Sequence, residues 1–422
     1  VVLRKFFAGQ FLVCKSTILQ SLKKGGGGMA GGQTRGLTAG KAVQFTTIKA
    51  RLCPTQAQAE LFEKTFGCCR YIWNRMLADQ QRFYIETDKH FIPTPAKYKN
   101  EAPFLREVDN QALIQEHNKL SQAFRVFFKN PECFGPPKFK KKKTDKDSFT
   151  ACNHKFESGP TIYITKDGIR MTKAGIVKAK FPRRPRNGWK LKRITVEKTK
   201  SGKYYCYILY GYEVKTPEAV APAPETTLGL KYSMGHFYVA DNGETADPPH
   251  WLRQSYEKIV KIQRQLNRMQ PGSKNYLDTV QKYRALHEHI ANQRKDFIHK
   301  QSSRIANGWD AVCVRDDSMR DVSQKKILPG NALDSGFGMF RECLRYKLAR
   351  QGKTLIVVDR AALTTRTCSA CGFVRNDRPH QKGAWACPKC GARQDREVNA
   401  AKNIKAMGLD QYFNQEAARK SA

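Results

Sequence analysis

Four cysteines near the C-terminal end of the chain have the spacing of a metal site. Cys368, Cys371, Cys387 and Cys390 form the pattern C-x2-C-x15-C-x2-C. Each C-x2-C pair lets two thiolates converge on one tetrahedral ion, and the loop between the pairs folds back to present the second pair. Four soft ligands leave no open coordination position, so the spacing predicts a structural Zn²⁺ ion. His380, inside the loop, is expected to be exposed rather than a ligand.

The charge of the chain indicates a polyanionic partner. Its 422 residues include 76 Lys and Arg against 37 Asp and Glu, which gives a formal net charge of +39. An excess of this size is typical of proteins that bind nucleic acid. An acidic membrane is not expected as a partner, because the sequence has no run of roughly 18 or more apolar residues. The odd number of cysteines, 13, favours reduced thiols and therefore a reducing, cytosolic compartment.

Two basic segments are candidates for contacting nucleic acid. Between Lys138 and Lys146, six lysines stand against one aspartate, which predicts a solvated loop or an arm that follows a phosphate backbone. From Lys178 to Lys203, eleven Lys or Arg residues accompany the single Glu197, with aromatic residues among them. This pattern suits a small barrel that grips nucleic acid, although an ordinary solvated sheet face remains the alternative. The candidate residues are Lys138, Lys140, Lys141, Lys142, Lys143, Lys178, Lys180, Arg183, Arg184, Arg186, Lys190, Lys192 and Arg193.

The elements that carry these residues are predicted from periodicity and turn residues. An alternating β-branched stretch at 43–55 predicts a strand, and Pro54-Thr55 opens a helix. A second apolar stripe predicts a helix at 109–129, and Asp167-Gly168 and Ser201-Gly202 mark hairpin turns. Beyond a Pro/Ala-rich stretch, helices alternate with strands, which favours a mixed sheet flanked by helices. In that half we expect a hairpin at 228–243, helices at about 251–270, 276–305 and 336–350, and strands at 310–317 and 354–360.

Several stretches of the C-terminal half resemble the TnpB family, the transposon-encoded RNA-guided nucleases related to type V CRISPR effectors. The stretches are GLKYSMGHFYVADNG, RKDFIHKQSSRIA, VCVRDDSM, LRYKLARQGKTLIVVD, the cysteine knuckles and DREVNAAKNI. Their order and spacing agree along nearly all of 228–409. The N-terminal half agrees in character more than in motif.

The resemblance implies a multidomain α+β fold. It comprises an N-terminal β-barrel of wedge or OB-like type with an inserted helical recognition bundle, then an RNase H-like (RuvC) α/β domain with an inserted zinc ribbon. The expected domains are a flexible basic and Gly-rich N-terminal extension, 1–42; the barrel, 43–55 and 148–213; the helical recognition domain with the basic loop, 56–147; a Pro/Ala linker, 214–227; the RuvC-like domain, 228–363 and 394–409; the zinc ribbon, 364–393; and a tail, 410–422. A glycine run precedes Met29, and one hypothesis is that the native protein begins at or near this residue.

In active members of the family, three carboxylates of the RuvC-like domain hold two divalent ions, because Mg²⁺ prefers oxygen ligands. The corresponding positions in this chain are Lys231, Arg315 and Glu397. Two reversals of charge at a cleft where screening is weak should abolish metal occupancy. The resemblance therefore implies a degenerate site with no catalytic residues and no catalytic Mg²⁺.

Three neighbouring carboxylates are not expected to replace the lost ones. Asp316 should face the opposite side of its strand, whereas Asp317 is expected on the same side as the site but one strand step away, about 6–7 Å from it. Asp241 is expected to form the Asp-Asn-Gly turn.

A chain that keeps its zinc ligands but has lost the catalytic metal site resembles the nuclease-dead TnpB-like repressors, the TldR proteins. This likeness implies RNA-guided, sequence-specific binding of double-stranded DNA without cleavage, and hence repression of transcription. The expected partners are a guide RNA of the transposon omega type and target DNA with a short flanking motif, in the nucleoid-associated cytoplasm of a bacterium. Two alternatives remain: a guide-RNA-directed DNA endonuclease with a displaced or altered metal site, and an RNA-binding or transposition accessory protein without a DNA target.

Overall fold

The computed structural model describes residues 41–142, 144–157, 159–233, 235–247, 251–317, 336–376 and 383–421. Residues 1–40 of the predicted extension, Lys143 and His380 lie outside this set. The chain divides into two compact units, one comprising Val1–Val43 with Glu213–Thr216 and the other Gln44–Tyr212 with Pro217–Ala422. Within the first unit, Lys41 Nζ lies 3.9 Å from Glu213 Oε2. The sites described below belong to the second unit.

The first sheet has seven strands in the order β2-β8-β9-β1-β7-β6-β5. These strands are β1 (Lys41–Cys53), β2 (Asp147–Cys152), β5 (Tyr163–Ile164), β6 (Gly168–Met171), β7 (Gly175–Lys180), β8 (Lys190–Lys198) and β9 (Tyr204–Lys215), while β3 (Lys155–Phe156) and β4 (Gly159–Pro160) form a separate pair. Along β1, buried Ile48, Ala50 and Leu52 alternate with more exposed residues, so the predicted strand is confirmed. Because β2 and β5 are the edge strands of this order, the barrel stays a prediction.

Two helices cover this sheet at the positions that periodicity predicts. They are α1 (Gln56–Thr87) and α2 (Asn110–Lys129). Thr55 and Gln58 form a capping box at the start of α1: the Gln58 amide donates to Thr55 Oγ1 (3.4 Å), and the Thr55 amide donates to Gln58 Oε1 (3.1 Å). The apolar faces of both helices pack against each other and against two 3₁₀ turns, Pro95–Lys99 and Pro103–Arg106.

The second sheet has five strands in the order β12-β11-β10-β13-β14. They are β10 (Thr227–Tyr232), β11 (Tyr238–Ala240), β12 (Thr245–Ala246), β13 (Ala311–Arg315) and β14 (Thr354–Val358). Strand β10 pairs antiparallel with β11 and parallel with β13, and β13 pairs parallel with β14. This mixed sheet and the hairpin turn at Asn242-Gly243, where Gly243 has φ +86°, follow the prediction.

In the described part of the chain, five helices accompany this sheet. They are α3 (Trp251–Gln254), α4 (Tyr256–Arg268), α5 (Lys274–Gly308), α6 (Phe337–Ala349) and α7 (Arg396–Lys420). The single helix predicted at about 251–270 is two helices, because Ser255 leaves the helical region with φ −95° and ψ 0°. Leu230 and Val314 lie in the core shared with α5 and α6, whereas Cys313 packs with α7. The two sheet faces therefore receive different helices.

The Pro/Ala-rich stretch is shorter than the predicted linker, and part of it is hydrogen-bonded to another segment of the chain. Strand β9 continues to Lys215, and the Val220 amide donates to the Gly352 carbonyl at 2.9 Å. The domain boundaries themselves remain predictions. Among the described residues, no helix has the length and apolar character needed to cross a bilayer.

Candidate functional site

Lys231 and Arg315 lie side by side on the sheet face that α7 covers. Leu230 of β10 is in register with Val314 of β13, and each cation is the next residue of its strand. The neighbours Leu230 and Val314 are fully buried on the opposite face. Because side chains alternate along a strand, the two cations share the other face. The sequence-predicted pair of charge reversals is therefore a pair in space as well.

Close packing of α7 brings Glu397 to this face. Asp395 caps the helix, because its Oδ1 accepts from the amides of Glu397 and Val398 at 2.9 Å each. A Cβ on Gly229 would lie 2.3 Å from the Ala401 carbonyl oxygen, so only glycine allows β10 and α7 to approach this closely. The structure thus joins all three predicted positions in one cluster.

Each cation of the cluster is paired with an acid. Lys231 Nζ lies 2.5 Å from Glu397 Oε2 and also donates to the Tyr232 carbonyl at 3.2 Å. The Arg315 guanidinium contacts Asp317 Oδ1 through Nε at 2.9 Å and Nη2 at 2.6 Å. Two positive and two negative groups therefore neutralise one another in this cluster.

The three neighbouring aspartates behave differently from one another. Asp316 binds Arg341 of α6, on the opposite face, as the strand alternation predicts. The prediction for Asp317 was wrong: β13 ends at Arg315, and the Asp317 amide donates back to the Arg315 carbonyl at 2.9 Å. The chain therefore folds back, and the side chain of Asp317 reaches Arg315 instead of lying one strand step away.

Asp241 has a larger role than the predicted turn formation. Its Oδ1 accepts from the Gly229 amide at 2.9 Å, and its Oδ2 lies 3.0 Å from Lys405 Nζ of α7. The turn is instead supported by Asn242, whose Oδ1 accepts from the Glu244 amide at 3.0 Å. Asp241 therefore connects β10 to α7 and is already paired with a cation.

The four predicted cysteines converge on one point. Their sulfur atoms all lie within 4.8 Å of one another. The Cys368–Cys390 and Cys371–Cys387 sulfur separations are 3.8 Å and 3.7 Å. A tetrahedral zinc ion with bonds of about 2.3 Å requires sulfur separations of about 3.8 Å. The donor set and its spacing therefore fit zinc.

Both cysteine pairs have the same backbone turn. The amides of Gly372 and Gly391 donate to the carbonyls of Cys368 and Cys387 at 2.9 Å and 2.8 Å. The glycines have φ of +72° and +71°, where a side chain would be strained. Two turns with the same hydrogen bond and the same glycine conformation thus direct two thiols each toward one centre.

The electrostatics of the cysteine cluster favour a bound cation. Burial opposes ionisation of Cys387, but the backbone amides of Cys390 and Lys389 outweigh it and lower the pKa of this thiol to about 6. At Cys371, the Phe373 amide lowers the pKa, yet burial and the three other cysteines together raise it to about 12. Because the neighbouring cysteines oppose ionisation of Cys371, a thiolate there requires a positive ion to compensate for the charge.

Two asparagines of α7 that sequence reasoning missed hold the first cysteine pair in place. Asn399 accepts from the Ser369 amide and donates to the Thr367 carbonyl, both at 2.8 Å. Asn403 donates to the carbonyls of Thr364 and Thr367 at 2.8 Å and 2.7 Å. The signal was their spacing of four residues, which places both on one helix face. The same helix therefore supports the charge cluster and the cysteine cluster.

The predicted nucleic-acid-binding residues form two surfaces within the described chain. The first surface lies on β7, β8 and the loop between them, and all of its cations are exposed. Strand β7 carries Lys178 and Lys180, the loop carries Arg183, Arg184 and Arg186, and β8 carries Lys190, Lys192 and Arg193. Lys138, Lys141 and Lys142 are exposed on the loop after α2. Lys140 differs, because its ammonium lies 2.5 Å from the buried Glu116. Their binding role stays a prediction.

A third group of cations went unrecognised in the sequence. Lys49 Nζ lies 4.0 Å from the centre of the Tyr205 ring, and the Arg51 guanidinium lies 5.1 Å from the same ring. Burial, with help from Lys295, lowers the pKa of Lys49. The alternation of cations in β1 was the available signal, although only the sheet order places them against β9.

Three family models match separate parts of the chain. They are described as "Helix-turn-helix domain" at 46–89, "Probable transposase" at 209–324, and "Cas12f1-like, TNB domain" at 337–404. In this structure, 46–89 contains most of β1 and all of α1. The third match includes α6, β14, the cysteine cluster and the first part of α7.

Two curated proteins are similar along most of their length. A putative RNA-guided DNA endonuclease of Streptomyces pristinaespiralis is 28% identical over 372 residues, which cover 86% of this chain and 89% of that protein. The putative RNA-guided DNA endonuclease InsQ of Escherichia coli K12 is 27% identical over 388 residues, with coverages of 86% and 92%. Among solved structures, a Cas12f1 chain from a complex with guide RNA and target DNA has a TM-score of 0.50 at 14% identity, and the match covers 83% of each chain. That likeness concerns the fold.

Proposed function

Given that the chain belongs to the TnpB family, also described as the IS605 OrfB family, we propose that it binds DNA under the direction of a guide RNA without cutting it. The relatives are named as RNA-guided DNA endonucleases, which supports the guide and the DNA target. Binding without cleavage rests on the side chains at the three carboxylate positions of the family.

The observation that carries this proposal is the pairing of Lys231 with Glu397. The ammonium and carboxylate are 2.5 Å apart, and their side chains are only 12% and 32% exposed. Hard divalent cations need several oxygen ligands, and an ammonium at contact distance repels them. Glu397 can offer its oxygens to a metal only by abandoning a mostly buried lysine. These residues do not fit a catalytic Mg²⁺ ion.

Arg315 adds to the same conclusion. It occupies the second of the family's carboxylate positions. Its guanidinium binds Asp317, the acid nearest to it in sequence on the sheet face that α7 covers. Asp241, a further carboxylate near α7, is paired with Lys405. Asp317 and Asp241 are thus both already paired with a cation.

The cysteine cluster would hold a structural zinc ion. Cys368, Cys371, Cys387 and Cys390 would be its four ligands, as their sulfur spacing and thiolate chemistry support. Through Asn399 and Asn403, such a site would fix the loop beside Thr364, whose hydroxyl accepts from Arg315 Nη1 at 3.4 Å. A zinc ion in this position would stabilise the charge cluster without taking part in chemistry.

The basic surfaces would bind the nucleic acids. Cations of β7, β8 and the intervening loop would contact the guide RNA backbone, and base pairing would select the target next to a short flanking motif. The resulting R-loop on a promoter would block transcription by occupancy, in the nucleoid-associated cytoplasm of a bacterium. This is the role of a TldR-type repressor.

The test is guide-dependent occupancy of DNA. The chain is purified with the RNA that associates with it, and the RNA is sequenced to identify the guide segment. Permanganate footprinting of a matched duplex should then show unpaired thymines only where the guide matches, and transcription through that site should fall. Equal footprints on matched and scrambled duplexes would contradict the proposal.

The names of the relatives favour one second candidate, a guide-directed endonuclease with an altered metal site. Glu397, Asp317 and Asp241 would be its available carboxylates, and each would have to leave its cation. A guide-dependent DNA product in the presence of Mg²⁺ or Mn²⁺ distinguishes this candidate.

A further inference from the structure

We propose that Lys138–Lys142, named here the lysine arm, is a pre-ordered site for one unpaired base of a nucleic acid strand. Phe139 is the stacking surface, and Lys138, Lys141 and Lys142 contact the flanking phosphates. The inference rests on the proposed function in one respect only, that the chain binds nucleic acid. It does not depend on whether DNA is cleaved.

The backbone of the lysine arm is fixed by α1. Trp73 Nε1 donates to the Lys138 carbonyl at 2.9 Å. Asn74 makes two bonds to Lys140: its Nδ2 donates to the carbonyl at 3.0 Å, and its Oδ1 accepts from the amide at 2.7 Å. The three consecutive lysines of the arm, 140–142, would repel one another and spread in a free loop, so these bonds hold a conformation that the sequence alone would not adopt.

Lys140 is a positioning residue of the lysine arm. Its ammonium lies 2.5 Å from Glu116 Oε2 and 4.1 Å from the centre of the Trp73 ring. Glu116 is completely buried, and its other oxygen contacts Lys119 at 2.7 Å. Burying such a pair contributes little net stability, because desolvation offsets the attraction. The pair instead determines which way successive side chains of the arm point.

With Lys140 turned inward, its neighbours project outward. Phe139 is 47% exposed, and Lys138, Lys141 and Lys142 are exposed as well. Within the described chain, Phe139 makes no contact with another aromatic ring, and none of these three lysines forms an ion pair, although Lys142 is near enough to Glu63 to help lower the pKa of that carboxyl. An exposed aromatic ring held rigidly among unpaired cations matches the chemistry of a single strand, whose bases stack and whose phosphates need positive charge.

The ligand is an unpaired base because the bases of a duplex are already stacked on their neighbours. The guide RNA and a displaced DNA strand both offer this chemistry. Fluorescent single-stranded oligouridine, single-stranded oligothymidine and a DNA duplex are therefore the three probes, and the comparison of the first two identifies the source.

The experiment compares Phe139→Ala with Phe139→Trp in the full-length, zinc-loaded chain freed of nucleic acid at high salt. Stacking on one aromatic ring corresponds to roughly a 5- to 140-fold change in affinity. The affinity of Phe139→Ala should fall by this factor for at least one single-stranded probe, while its affinity for the duplex should stay the same. Phe139→Trp should bind all three probes like the wild type. Phe413→Ala is the matched control, since Phe413 on α7 is 48% exposed.

Salt dependence separates the roles of the lysines. Each phosphate contact contributes about 0.7 to the slope of log K against log salt for a single strand. Lys141→Ala and Lys142→Ala should each reduce the slope by about this amount, and Phe139→Ala, which changes no charge, should leave it unchanged. Asn74→Ala, which changes no charge, should expose the arm to trypsin and weaken single-strand binding.

Two results would overturn the inference. One is wild-type affinity of Phe139→Ala for both single-stranded probes. The other is a wild-type salt slope for both Lys141→Ala and Lys142→Ala, which would mean that these lysines contact no phosphate. Neither result bears on guide-dependent DNA occupancy, so the proposed function would still stand or fall on its own test.

Discussion

Replacing Lys231 with aspartate should make the stability of the chain depend on a divalent cation. The substitution removes the pair between Lys231 and Glu397, whose charged atoms are 2.5 Å apart, and leaves two carboxylates in its place. Removing one partner of a buried pair costs about 3–5 kcal/mol, while an exposed pair contributes about 0–1 kcal/mol. Side-chain exposures of 12% and 32% place this pair between the limits. We therefore expect a loss of about 2–3 kcal/mol in the free energy of unfolding.

Magnesium should reverse this loss in the variant alone. An ion that binds the two carboxylates of the folded state restores about 2.7 kcal/mol at a concentration about 100 times its dissociation constant. Lys231→Met is the matched control, because it loses the pair without gaining an acid and so should not respond to Mg²⁺. The assay is thermal unfolding of zinc-loaded protein across a series of MgCl₂ concentrations at constant ionic strength.

Two outcomes would refute this reasoning. Lys231→Asp could unfold at the wild-type temperature without Mg²⁺, which would mean that the ion pair does not support the cluster. Alternatively, the wild type itself could be stabilised by Mg²⁺ in a way that Glu397→Gln abolishes, which would mean that a metal already binds there.

Three further predictions concern other parts of the chain. Metal analysis should find one zinc ion per chain, and Cys387→Ser should lose this ion and unfold at a lower temperature. The control Cys53→Ser changes an exposed cysteine outside the cluster and should keep the zinc. Full zinc content in Cys387→Ser would contradict the site. Burial raises the pKa of Glu63, but hydrogen bonds from Lys198 and Tyr204 outweigh burial and hold this pKa below its usual value. The wild type should therefore be more stable than Glu63→Gln above about pH 4.5, and it should lose this advantage as the pH falls through the lowered pKa. Because Glu63 is partly exposed, the advantage in denaturant unfolding should be about 0.5 kcal/mol, and a difference that grows on acidification would reverse the assigned sign. RNA that co-purifies with the chain should be one species with a short variable 3′ end, whereas a heterogeneous population would favour an RNA-binding accessory role.

Local rules predicted the elements that begin and end with strong signals. The capping box of Thr55 and Gln58 begins α1, and the cysteine spacing located the cluster because each pair needs only its own four-residue turn. The likeness to the TnpB family supplied the three positions that α7 and the second sheet bring together. Such signals depend on residues close in sequence or on a motif order that can be compared directly.

Long-range pairing explains what the sequence could not reveal. Nothing near Lys140 indicates that its ammonium binds Glu116, which is 24 residues away, so all lysines of the arm looked equivalent. Asp241 was interpreted from its turn, although its partner Lys405 lies 164 residues further along the chain. Asp317 was placed by ideal strand geometry, which ends with β13 at Arg315. Tertiary packing chose the partners of Lys140 and Asp241, whereas Asp317 reaches its partner through a local turn at the end of β13.

The most direct test of the central claim is a single-turnover cleavage assay with the RNA-loaded chain in excess over a labelled, guide-matched duplex. With Mg²⁺ or Mn²⁺ present, we predict that the duplex is bound and remains full length on a denaturing gel after prolonged incubation. A guide-dependent product that disappears in Glu397→Gln would contradict the claim, because it would show that the carboxylate paired with Lys231 serves a working metal site.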